Sequence, residues 1–229
     1  MDFDDFFDRL YDNNVNELKD VYEENLKMLC KGVIPKSYPK GRLIRMLGES
    51  STLPERFKGV DWRSHFIKVQ GFPLLSEDWV KPLARWIGDR PCLEIMCGNG
   101  YLSYALSKYG CKIKATDNFS WEKNFDGMGK IYPIENLDCI AAIEKYGKEV
   151  KFIICSWPYM DDKAYRCLLK MREVNPKCRM IYIGEDFGGC TANDDFFNEL
   201  EECYVRGFDD AVSNYRRWDS IYDTIRLVK

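Results

Sequence analysis

The sequence predicts a doubly wound α/β domain, with a mostly parallel sheet of seven strands, an antiparallel strand near its C-terminal edge and a helical extension in front. Three observations carry this. Short apolar runs alternate with stretches of helical spacing from residue 92 to residue 203, the rhythm of parallel strands joined by crossover helices. The first run meets its helix through a glycine turn, Glu94-Ile95-Met96-Cys97-Gly98-Asn99-Gly100. Residues 205–215 and 220–228 then follow one another with no helix between them, which predicts a closing hairpin and hence an antiparallel edge.

Taken in order, residues 5–30 place Phe6, Leu10, Val15, Leu18, Tyr22, Leu26 and Leu29 at helical spacing and predict one or two helices. Residues 31–60 are basic and broken by glycine and proline. The division expected is an extension over 1–75, which caps the substrate, and a main domain over 76–229. A helix over 76–87 opens the main domain, with Ser76 as N-cap and Glu77 and Asp78 in its first turn. There follow strand 92–96, helix 101–108, strands 112–116 and 131–134, helix 138–146, strand 150–155, helix 161–173, strand 178–183 and helix 193–203. The strand at 150–155 is apolar and β-branched but for Lys151, as suits a central strand buried on both faces.

Composition bounds the function. A chain of 229 residues that is 45% hydrophobic and 31% charged can bury a full core. No stretch approaches a membrane span, and the acidic start Met1-Asp2-Phe3-Asp4-Asp5 is unlike a secretory signal. The ten cysteines are scattered without a Cys-x-x-Cys pair, and Cys92, Cys97, Cys155 and Cys178 lie in or beside apolar strands. A reduced, cytoplasmic protein is expected. With His65 as the single histidine, no metal site is expected. The net charge of −3 argues weakly against a polyanionic partner. Residues 25–48, however, hold no acid and gather Lys27, Lys31, Lys36, Lys40, Arg42 and Arg45, so nucleic acid stays possible.

The glycine turn carries the chemistry. Gly98 and Gly100 open backbone angles closed to other residues and let a ligand reach the main chain. Glu94 at the strand end repels a phosphate and attracts a cationic amino group. Asp117 closes the next strand about two dozen residues on, where an acid holds the ribose hydroxyls of a bound nucleoside. In these residues the chain resembles the class I, Rossmann-like, S-adenosylmethionine-dependent methyltransferases, with Met96 where the family has its first glycine. The resemblance implies S-adenosyl-L-methionine as cofactor. It implies a cofactor site of Glu94, Met96, Cys97, Gly98, Asn99, Gly100, Tyr101, Leu102, Asp117, Asn118, Asp138, Cys139 and Ser156, in which Asp138 accepts from the adenine amino group and also suits an N-cap.

Ser156-Trp157-Pro158-Tyr159 ends the strand at 150–155 and resembles the Asp/Asn/Ser-Pro-Pro-Tyr signature of amino-methyltransferases, with Trp157 in place of the first proline. A planar amino nitrogen has a delocalised lone pair, so its hydrogens must be accepted by the first side chain and a nearby carbonyl. A proline holds that carbonyl rigidly, and Tyr159 offers a flat face. The resemblance makes Ser156, Trp157, Pro158 and Tyr159 the catalytic set. Tyr159, Glu185 and Trp121 are candidate substrate contacts, since Glu185-Asp186-Phe187-Gly188-Gly189 lies on the same strand-end rim. Two other readings stay open. A non-catalytic cofactor-binding subunit suits Met96 and Trp157, whereas a nicotinamide dehydrogenase suits Gly98-x-Gly100 with Asp117 but not Glu94. The methyl acceptor and the oligomeric state are not legible.

Overall fold

The computed structural model describes residues 20–39, 46–47, 60–121 and 129–229. The expected helical stretch before residue 20, and Lys40, Arg42 and Arg45 of the basic segment, lie outside the described residues. Residues 20–30 form helix α1. Met46–Leu47 (β1) and Val60–Asp61 (β2) pair antiparallel, apart from the main sheet. Trp62–Gln70 (α2) and Glu77–Ile87 (α3) then lead into β3, Cys92–Ile95.

The rest alternates as the pattern requires. The elements are Tyr101–Ser107 (α4), Ile113–Asp117 (β4), Ile134–Asn136 (β5), Cys139–Tyr146 (α5), Phe152–Ser156 (β6), Lys163–Val174 (α6) and Arg179–Gly184 (β7). Asp194–Glu199 (α7), Phe208–Val212 (α8) and Thr224–Val228 (β8) complete the chain. Strand order is β5-β4-β3-β6-β7-β8, parallel except for β8, which runs against β7.

Strand alternation divides the core between two faces. Phe152, Ile154, Ile181, Ile183, Ile225 and Leu227 pack with α3, α4 and α8, together with Tyr22 and Leu29 of α1 and Trp62 and Phe66 of α2. Leu93, Ile95, Ile153, Cys155, Met180 and Tyr182 pack on the other face with Ala142, Ile143, Leu168, Met171 and Phe196 of α5, α6 and α7. Residues 20–39 and 62–75 therefore share the first core with the sheet. The cysteines are all free, seven of them buried.

Four expectations need correction. The main sheet has six strands among the described residues, not seven. Residues 205–215 are no hairpin arm: Val205, Phe208, Val212 and Tyr215 recur at helical spacing, Gly207 turns left-handed at φ 80° to start α8, and Asp209 and Asp210 fill its first turn. The expected helix over 193–203 ends at Glu199, because Leu200 is extended and the backbone of Glu201 and Cys203 bonds Lys229 and Leu227. A lone antiparallel bridge joins Glu202 to Val228 in the same stretch. Finally, β5 begins after Pro133, which has no N–H to give a ladder.

Candidate functional site

The parallel strands end on one rim, and a cavity of about 350 Å³ opens there, in the range of small-ligand pockets. Sequence places the loops, and sheet order brings β3, β4, β6 and β7 together over the cavity.

The β3 turn forms its floor. Met96 is left-handed, with φ 52°, a strained state for a side-chain-bearing residue. Gly98 has φ +60°, and a methyl group there would meet nothing within 4 Å, so the main chain is open to a ligand. Gly100 is needed for a different reason: at φ +79°, an added Cβ would stand 2.9 Å from Cβ of Tyr132. Asn99 is buried and braces the turn, its Nδ2 donating to the Val69 carbonyl at 2.6 Å and its Oδ1 accepting from Tyr101 N–H at 3.2 Å.

Glu94 lines the cavity at 1% exposure and accepts a hydrogen bond from the Ser103 hydroxyl. Burial pushes its carboxyl up to about 8 despite that bond. Asp117 is also buried and lines the cavity, but its oxygens are largely engaged: Oδ2 accepts from Gly98 N–H at 2.8 Å, and Oδ1 from Phe119 N–H at 2.6 Å and Trp121 Nε1–H at 3.0 Å. Of roughly four acceptor positions on a carboxylate, three are engaged among the described residues. The Gly98 bond ties the glycine turn to the end of β4.

Of the other expected cofactor residues, Cys97, Leu102, Asn118, Cys139 and Ser156 line the cavity with Met96, Gly98 and Asn99. Gly100, Tyr101 and Asp138 do not. Tyr101 points its hydroxyl to the Leu29 carbonyl of α1, and Asp138 caps α5 by accepting from Ile140 N–H at 2.9 Å. Trp121, Tyr159 and Glu185 all line the cavity, and Tyr159 is 48% exposed.

The end of β6 departs from the resemblance that suggested it. The Ser156 Oγ is buried in the cavity wall with no hydrogen-bond partner among the described residues. Trp157 has φ 50° and donates its N–H to the Ile183 carbonyl at 2.7 Å. A proline has neither that angle nor that hydrogen, so Trp157 is no stand-in for the signature's first proline. Its ring stacks on Phe72 at 5.1 Å and its Nε1 donates to Asp223 at 3.2 Å; Asp223 also accepts from the Tyr215 hydroxyl. Pro158 is buried, and its carbonyl accepts from Ala192 N–H at 3.4 Å.

Sequence reasoning missed the wall opposite the sheet. Arg63 and Gln70 of α2, with Gly71, Phe72 and Pro73 after it, line the cavity. The Arg63 guanidinium lies 5.3 Å from the Trp157 ring centroid. No local motif marks these residues; they reach the site because Asn99 ties the end of α2 to the glycine turn. Among the described residues, no group of three or more metal-ligating side chains occurs and no helix is long and apolar enough to cross a membrane.

The chain matches neither a protein-family model nor a curated protein sequence. Solved structures do resemble it. Magnesium protoporphyrin IX methyltransferase of Synechocystis PCC 6803 aligns with 65% of this chain and 76% of its own, at 12% identity and a TM-score of 0.39. A SAM-dependent methyltransferase of Archaeoglobus fulgidus aligns with 67% of this chain and 94% of its own, at 14% identity and 0.42. TehB of Haemophilus influenzae aligns with 72% of this chain and 65% of its own, at 15% identity and 0.40.

Proposed function

We propose that the chain is an S-adenosylmethionine-dependent methyltransferase acting on a planar amino nitrogen. The observation that carries the cofactor is the buried carboxyl of Glu94 beside a glycine turn whose main chain is open at Gly98. A pyrophosphate set there meets a carboxyl, whereas the ammonium and sulfonium of S-adenosylmethionine gain a counter-charge. The rest of the cavity fits the group. Asp117 has one acceptor position for a ribose hydroxyl, and Trp121, Leu137 and Cys139 offer an apolar slot for a purine.

The cofactor supplies an activated methyl group, so the protein's task is alignment and charge. Ser156 Oγ is free to accept an amino hydrogen beside it. Trp157, pinned by three contacts, and Tyr159 bound the acceptor space, under a cap formed by residues 62–75. The non-catalytic reading is favoured by one observation, the left-handed backbone at Trp157 in place of a proline. Methyl transfer from labelled S-adenosylmethionine to nucleic acid, protein and metabolite fractions separates the two. Label on nitrogen supports the proposal; label confined to oxygen or carbon refutes the amino acceptor, and tight cofactor binding with no label anywhere supports a non-catalytic subunit.

A further inference from the structure

Glu185 follows β7, two strands away from the glycine turn, and its carboxylate is built into the cavity wall. It is 6% exposed. Oε2 accepts from Cys190 N–H at 2.8 Å and Oε1 from Tyr222 N–H at 3.0 Å, so two separate loops grip it. The turn is shaped around this arrangement. A Cβ on Gly189 would collide with Cβ of Glu185 and come 2.9 Å from the Asp186 carbonyl, and one on Gly184 would stand 2.7 Å from the Tyr182 hydroxyl. That hydroxyl and Thr191 Oγ1 both reach the Glu185 carbonyl, at 2.9 and 3.1 Å.

Burial alone raises the Glu185 carboxyl, but the Tyr222 and Cys190 amides, the Cys190 thiol and the Arg63 charge more than offset it, and the group ends below the usual carboxylate range. It is thus a fixed anion, with acceptor capacity left beyond the two amides and the Cys190 thiol, in a cavity walled by Phe72, Trp157 and Tyr159. The geometry points to Glu185 as the acceptor-side counter-charge: it takes an N–H of the methyl-accepting nitrogen and stabilises the positive charge that nitrogen gains. This rests on the methyltransferase reading above and adds the acceptor's chemistry to it.

The nitrogen lone pair forms the new N–C bond as the carbon–sulfur bond breaks and its electron pair stays on sulfur. Positive charge passes to nitrogen, whose surplus proton leaves to solvent. A preorganised carboxylate beside that nitrogen favours the charge shift. A hydroxyl acceptor needs a proton removed, for which a carboxylate of lowered pKa is a weak base, and His65 is not in the cavity wall. The acceptor class is therefore an N–H-bearing group next to a flat or apolar body.

Benzylammonium and benzyl alcohol, titrated calorimetrically into protein saturated with S-adenosylhomocysteine, test the site without any turnover. The cation is expected to bind at least about tenfold more tightly than the alcohol, the scale of one charge-assisted hydrogen bond. Glu185→Gln is expected to erase that difference while S-adenosylhomocysteine affinity stays within about threefold. Equal binding of the two probes to the parent protein, or an unchanged ratio in a folded Glu185→Gln variant, overturns the assignment. Should thermal melting show that the variant does not fold, the parent's ammonium-to-alcohol ratio decides. Failure of S-adenosylhomocysteine itself to bind sinks the cofactor reading instead, and the same titration on the free protein still decides the Glu185 site.

Discussion

Glu94 makes cofactor binding depend on pH in a direction that follows from its surroundings. Its folded carboxyl stands at about 8 against 4.5 for the exposed group. That shift stabilises the free protein fully below pH 4.5, and the contribution is lost as pH rises through about 8. A cationic ligand needs the ionised form, so binding expels a proton. Affinity for S-adenosylmethionine should rise between about pH 6 and pH 8, by up to about tenfold per unit, and Glu94→Gln should flatten the profile. Burial raises Asp117 in the same direction, and the Gln variant isolates Glu94 from it. Calorimetry across that range checks both. Asp117→Ala deletes one hydrogen bond to the glycine turn, at Gly98, and two to the loop after β4, at Phe119 and Trp121. At about 1 kcal/mol each, cofactor affinity should drop at least tenfold and the melting temperature should fall as well; loss of affinity at unchanged stability would contradict the bracing role. Glu94, Gly98 and Asp117 were legible because a strand end, a turn and a second strand end are local features. The competing donors on Asp117 were not, since Trp121 and Phe119 carry no spacing signal for them.

At the scale of the element, the end of β6 shows how far a backbone can differ from the one a short motif suggests. Ser156-Trp157-Pro158-Tyr159 reads as a near-match to a proline-rich signature, yet Trp157 has a left-handed backbone and spends its N–H on Ile183. Trp157→Pro, which puts the signature's residue at this position, should therefore destabilise the protein by about 3 kcal/mol or more, because proline can neither take that φ nor donate. Thermal or denaturant unfolding measures it, and a variant as stable as the parent would refute the account of this turn. The parallel strands other than β5 are readable from buried apolar runs, to within a residue or two. Residues 205–215 were not, because apolar spacing in so short a stretch suits both a hairpin arm and a helical turn, and only Gly207 with the following acids decides for α8.

For the whole molecule, residues 20–39 and 62–75 share a core with the main sheet. Tyr22, Leu29, Trp62 and Phe66 belong to the same core as Trp79, Leu83 and Phe152, and α2 and the link to α3 wall the cavity. A fragment of residues 76–229 should consequently expose that core and fail to give a cooperative melt, whereas the full chain unfolds in one transition; a cooperatively folded fragment would contradict this. Long-range packing of this kind leaves no mark in local sequence, which is why Arg63 and Phe72 escaped notice while the glycine turn did not. The central claim, a nucleoside cofactor held at its cationic end by Glu94, is tested most directly by calorimetric titration of the full chain with S-adenosylmethionine, S-adenosylhomocysteine and NAD. Above about pH 8, where Glu94 is ionised, the account predicts saturable one-site binding of the two adenosyl compounds, both at least about a hundredfold tighter than NAD given the charge of the pyrophosphate, and NAD binding equal to or tighter than theirs would contradict it.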